Sequence, residues 1–278
     1  MIMNYKKYKF IYLIFITIIL LFGISCEKKI NPDFHFDGKE FLIVDGILTN
    51  ENINQKIILS KSVNSFNEKP EYVSDAEVSV SDGIRLYSFS EDTTGMYLSD
   101  EKFSVVINKH YTLQISFEDK EYTAQARAVP FFSDNSLNYV SYNDTLYHIP
   151  NPIAQFNPKE AAMYEVNADW SFVPGYENFP EKGTKAKMFF YVLKTIDVGE
   201  IFNPPAEKIY FPKGTQLIVR KYSLSPEHEK FIRSLLLETQ WAGGNFDIEK
   251  DNIYTNLSKG ALGFFGASTV LSDTIIVQ

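Results

Sequence analysis

Along most of this chain the apolar positions recur with a period of two. Phe41-Leu-Ile-Val-Asp-Gly-Ile-Leu-Thr49 and Lys56-Ile-Ile-Leu-Ser60 are short apolar runs parted by Asn50, Glu51 and Asn52. Ala76, Val78 and Val80 alternate with Glu77, Ser79 and Ser81, as in a half-buried strand. Asp82-Gly83 is a hairpin signal, and Ile84 to Phe89 returns from it. Tyr111, Leu113, Ile115 and Phe117 form a further alternating run. The turn Glu118-Asp119-Lys120 joins it to Tyr122, Ala124, Ala126 and Ala128. About seven strands at this spacing predict an immunoglobulin-like or transthyretin-like β-sandwich over residues 41–129.

From Phe131 the texture changes. Residues 133–151 are rich in Ser, Asn, Asp and Tyr, and alternation resumes at 164–172, 187–194 and 215–221. Pro174-Gly175, Pro180, Pro204-Pro205 and Pro212 mark the loops between them. One segment has helical spacing: Phe231, Leu235 and Ile232, Leu236 share a face. Ser225 suits the N-cap, Pro226 the first helical position, and Glu227 and Glu229 the positive helix end. Residues 130–278 thus read as a second β-sandwich-like domain with a helix near 226–240 and a last strand over 269–277. The chain as a whole is expected to be mostly β. Gly260, Gly263 and Gly266 lie outside any βαβ unit, so they read as close backbone approaches at a strand rather than a phosphate loop.

The amino-terminal segment has a different character. Lys6, Lys7 and Lys9 precede an apolar run that ends Gly23-Ile24-Ser25-Cys26, and Cys26 is the only cysteine of the chain. A charged head, an apolar stretch and small residues before the end predict a signal peptide over residues 1–25. The cysteine directly behind it looks like the acylated residue of a bacterial lipoprotein lipobox, modified by diacylglycerol and palmitate. An uncleaved anchor helix is the alternative, but a span prefers about 20 apolar residues and this run is shorter. Residues 26–40 are polar and read as a lipidated tether.

Charge and composition narrow the function. Removing Lys6, Lys7 and Lys9 from the 27 basic residues leaves 24 against 35 acidic residues, a formal charge of −11. Such a protein is a poor nucleic-acid binder, because phosphate recognition needs clustered Lys and Arg. It attaches to membrane through acyl chains rather than charge. With Cys26 acylated, disulfides and thiol chemistry are excluded.

Candidate chemistry is sparse. His35, His110, His148 and His228 share no metal-type spacing. Asp247, Glu249 and Asp251 alternate as carboxylates around Ca²⁺ do, but without the glycine and terminal glutamate of the calcium loop. A solvated acidic loop is the better reading, and neither metal nor cofactor is expected. Asp92-Thr93, Asp144-Thr145 and Asp273-Thr274 resemble an O-glycosylation signal of exported Bacteroidota proteins, which nominates Thr93, Thr145 and Thr274. The chain holds 23 Phe and 17 Tyr; most must fill the two cores, and Tyr176 and Trp241 are candidate ligand-binding aromatics.

The strand Leu42–Thr49, the strand Ala76–Val80, the helix ending Leu-Leu-Leu-Glu-Thr-Gln240 and the late segment Gly260-Ala-Leu-Gly-Phe-Phe-Gly-Ala-Ser268 together resemble a family of Bacteroidota lipoproteins known as domain of unknown function 4249. The family often carries a Phe-Asp-Pro-Pro-like stretch where this chain has Phe246-Asp-Ile-Glu. The resemblance implies an envelope lipoprotein of a kind often encoded beside a TonB-dependent outer-membrane transporter, with no catalytic residues to carry over. The expected function is a non-catalytic accessory or ligand-capture subunit, anchored in the outer membrane by lipid and partnered by that transporter. A surface adhesion or glycan-binding lipoprotein is the second reading, and a hydrolase using paired carboxylates the third.

Overall fold

A computed structural model describes residues 40–63, 68–131, 138–150, 160–193, 208–239 and 253–278. Strands β1 (Leu42–Thr49), β2 (Lys56–Lys61), β3 (Glu77–Ser81), β4 (Leu86–Thr93), β5 (Met96–Ser99), β6 (His110–Phe117) and β7 (Lys120–Arg127) follow one another in the first half. Then come β8 (Val140–Ser141), β9 (Leu146–His148), β10 (Ala162–Asp169), a 3-10 turn at Glu181–Gly183, β11 (Lys185–Val192), β12 (Phe211–Pro212) and β13 (Gln216–Ser223). Helix α1 (Pro226–Thr239) precedes β14 (Ala261–Ser268) and β15 (Val270–Ile276). The protein is mostly β, with one α-helix among the described residues.

Eight strands form the first sheet in the order β14-β1-β2-β5-β4-β3-β6-β7. All its pairs are antiparallel except β1–β14, which is parallel. Alternation turns Val44 and Leu48 of β1, Ile57 and Leu59 of β2, and Leu113 and Ile115 of β6 into one core, each 1% exposed or less. The β6–β7 turn is tight: Glu118 and Asp119 both have positive φ (50° and 58°), as two-residue hairpin loops require. At the other hairpin the β3–β4 pairing resumes at Leu86, because the Asp82 carboxylate accepts the N–H groups of Ile84 and Arg85 and holds both in the loop.

Residues 256–258 link the two ends of this sheet. The Asn256 amide donates to the carbonyls of Gln125 in β7 (2.9 Å) and Phe265 in β14 (2.7 Å), and accepts the Phe265 N–H (3.1 Å). Leu257 bridges Ala124, and the arrangement approaches a barrel. Its core also receives Ala261, Phe265 and Ala267, so β14 completes the apolar interior begun by the first seven strands.

The second sheet, β11-β10-β13-β15, is antiparallel. One face buries Tyr164, Val166, Leu217 and Val219 with Trp170 and Phe211, beside a small sheet of β12, β9 and β8. The opposite face carries Met163, Tyr222 and Val270, which pack on Ile232 and Leu236 of α1. Ser225 caps this helix, its hydroxyl accepting the His228 N–H at 3.2 Å.

The chain passes from one sheet to the other at Thr269. Its hydroxyl donates to the Val129 carbonyl at 2.7 Å and lies 2.9 Å from the Ser223 hydroxyl, which also donates to Val129 at 2.7 Å. These groups are buried, so each bond also avoids the cost of an unmatched polar atom.

Candidate binding cleft between the two sheets

A strand with one face in a core presents its other face outward, and β1 does so with Ile43, Asp45 and Ile47. That outer face looks onto the α1-bearing face of the second sheet. Between them lies a cleft of about 720 Å³. β1 and β2 contribute Ile43, Asp45, Ile47, Lys56 and Ile58; the second sheet contributes Met163, Glu165, Lys187, Phe189, Tyr191, Arg220 and Tyr222. Phe231 and Leu235 of α1 and Phe264 of β14 complete the lining.

Phe264 builds the helical wall. Its ring is stacked on His228 (centroids 4.7 Å apart) and on Phe231 (4.9 Å), side chains one helical turn apart. Gly266 admits this helix: a methyl group there would lie 3.2 Å from the Phe264 ring and 3.5 Å from Nδ1 of His228. His228 is 3% exposed, and burial holds its imidazole down to about 3.

The second sheet supplies a charged band. Glu165 receives Lys187 Nζ at 3.0 Å, Tyr222 Oη at 3.0 Å and Asn167 Nδ2 at 3.0 Å. Burial pushes its pKa up, but these donors outweigh burial and the carboxyl ends below its ordinary value. The Tyr222 hydroxyl is raised, chiefly by burial. Arg220 pairs with Glu51 from the loop after β1, joining the two sheets. Asp45 differs. It stands open to the cleft, flanked in register by Ile58 and Phe264, and makes no hydrogen bond or ion pair among the described residues. The surrounding protein raises its pKa, with Lys56 opposing from a distance.

The sequence profile of domain of unknown function 4249 matches residues 27–274. The chain belongs to this family. No curated protein matches it. The strand Ala261–Ser268, part of the most specific motif that suggested this family, both completes the first core and builds the Phe264 wall of the cleft.

Several candidate residues of this family member can now be placed. Thr93, Thr145 and Thr274 are all exposed, as a modification site must be. Tyr176 is half-buried against the second core and stands 5.7 Å from the Phe179 ring, away from the cleft lining. Cys26, Trp241, Asp247, Glu249 and Asp251 lie outside the described residues. Among the described residues no three His, Cys, Asp or Glu side chains gather as a metal site would, and no helix is long and apolar enough to cross a membrane. Sequence reasoning missed Asp45, Glu165, Lys187 and Arg220. The only signal for Asp45 was a single charge inside the apolar run Leu42–Thr49.

Proposed function

We propose that the protein is a non-catalytic ligand-capture or accessory subunit, anchored to the outer membrane by lipid on Cys26 and serving a TonB-dependent transporter. The cleft carries this reading. Its volume falls within the range of small-ligand sites, its walls are mostly apolar and aromatic, and its few polar groups sit at fixed places. The lipobox-like Gly23-Ile24-Ser25-Cys26 supports the anchor, and the family resemblance supports the transporter as partner.

The experiment has two arms. Affinity capture of the lipoprotein from detergent-solubilised outer membrane is expected to bring a TonB-dependent transporter with it. Phe189→Arg, which places a charge on the exposed cleft wall, is expected to reduce transporter-dependent uptake while the protein remains folded and acylated. Recovery of the lipoprotein alone, with uptake unchanged in the variant and in a deletion strain, overturns the proposal.

A further inference from the structure

Among the described residues three carboxylates stand at or beside the cleft, and two are already engaged. Glu165 is held by Lys187, Tyr222 and Asn167, and Glu51 by Arg220. Asp45 alone faces the open space without a bonded partner among the described residues, in the middle of a wall made by Ile43, Ile47, Ile58 and Phe264. Asp45 is exposed to the cleft yet unpartnered between apolar neighbours, so a ligand group bringing positive charge or strong hydrogen-bond donors can reach it and pair with it. Elsewhere in the cleft Phe189, Tyr191, Tyr222, Phe231 and Phe264 offer apolar area. The protein's own Lys187 and Arg220 stand over the Phe189 and Tyr222 rings, each 5.2 Å from the centroid, which shows that these walls accept cations.

We propose that the cleft selects a hydrophobic cation: an apolar or aromatic body bearing one ammonium or guanidinium group, seated with that group on Asp45. This rests on the reading of the cleft as a ligand site and adds its chemical class. Lys187 and Arg220 do not oppose it, because each is already neutralised by its own carboxylate. Among the described residues Lys56 is the one nearby cation acting on Asp45, from the next strand and without contact. It sits at the exposed start of β2, where its flexible stem can turn to water. The other titratable groups facing the cleft among the described residues are Tyr191, Tyr222 and the buried, uncharged His228.

The test uses the full acylated chain in lipid nanodiscs, with empty nanodiscs as the blank, titrated calorimetrically at pH 7.5. The probes are 4-phenylbutylammonium, 4-phenylbutanol and 4-phenylbutyrate, alike in size and differing in charge. The ammonium is expected to bind about ten-fold more tightly than the alcohol, the scale of one charge-assisted hydrogen bond. Asp45→Asn is expected to abolish that ratio. In the unaltered chain the ratio also shrinks as the solution is acidified and Asp45, whose pKa is raised from its ordinary value by burial, takes up a proton; this arm stands even if the variant folds poorly. A blocked peptide, acetyl-Phe-Leu-Lys-Leu-Phe-amide, separates the sources of the cation: binding tighter than that of the free amine assigns a peptide side chain. Equal affinity for alcohol and ammonium, or tightest binding of the butyrate on Lys56, overturns the inference while leaving the cleft a ligand site. Failure of all three probes and the peptide to bind overturns both readings.

Discussion

Gly263 of β14 lies so close to Val44 of β1 that a methyl group on it would sit 2.1 Å from the Val44 carbonyl oxygen. Its φ of +93° is equally closed to other residues. The parallel β1–β14 pair depends on this missing side chain, since neither backbone can retreat without opening the core behind it. Gly263→Ala is therefore expected to cost about 4 kcal/mol or more, the range of severe core defects. Gly83→Ala shares a positive φ but meets open space, and should cost only about 1–2 kcal/mol. Urea unfolding of the two variants measures the contrast; equal losses would show that conformation, not close approach, governs Gly263.

Asn256 ties β7 to β14 through three hydrogen bonds. Asn256→Ala removes all three and leaves backbone groups to find water. A loss of about 2–3 kcal/mol is expected, at roughly 1 kcal/mol for each bond. Hydrogen exchange should quicken first in β7 and β14, where the sheet would open, while β10 and β13 keep their protection.

His228 is buried and held uncharged, with no partner for Nδ1 among the described residues. Its imidazole binds a proton near pH 6.5 when unfolded but only near 3 when folded. Stability from this group is thus complete above about pH 6.5 and is lost as pH falls towards 3, by up to about 1.4 kcal/mol per pH unit. His228→Phe, which keeps the stack on Phe264, should flatten that decline. Melting temperatures at pH 7.5, 5.5 and 4.5 test it, and an unchanged slope in the variant would contradict the assignment.

The Asp82 carboxylate receives Lys109 Nζ at 2.7 Å and the N–H groups of Arg85 and Ile84 at 2.8 and 2.9 Å. Burial alone would raise its pKa, but these donors bring it down to about 2. A depressed carboxylate stabilises the fold above its unfolded pKa near 4, and that contribution disappears as pH drops from there to about 2. Asp82→Ala is expected to cost about 2–3 kcal/mol at pH 7 and to make the acid limb of unfolding shallower. A chemical-denaturation series from pH 5 to 2 shows both effects.

Much of the fold was legible because a strand repeats every two residues and a capped amphipathic helix every 3.6. Apolar runs and alternation located β1 to β4, β6, β7, β10, β11, β13 and β15 within a few residues but not the short β5, and Ser225-Pro226 announced α1. Nothing local marks Gln55 as interior. Yet its side chain is 1% exposed and bonds the backbone of Thr49, Glu51 and Phe103. Lys221 and Glu160 are likewise 6% and 5% exposed, paired at 3.1 Å beneath the second sheet. Polar residues of this kind are read as surface until distant partners are known.

The period of the apolar pattern, determined by backbone geometry within each segment, belonged to the sequence alone; so did the charge balance, the single cysteine and the motif shared with the family. Pairing across 219 residues, which sets Leu42 beside Ala261, was decided by the tertiary structure, because any apolar strand edge can satisfy any other until a common core selects among them. The same choice turned Asp45 from one polar position on an outer face into the open carboxylate of a cleft, since its surroundings come from strands and a helix that local pattern does not connect.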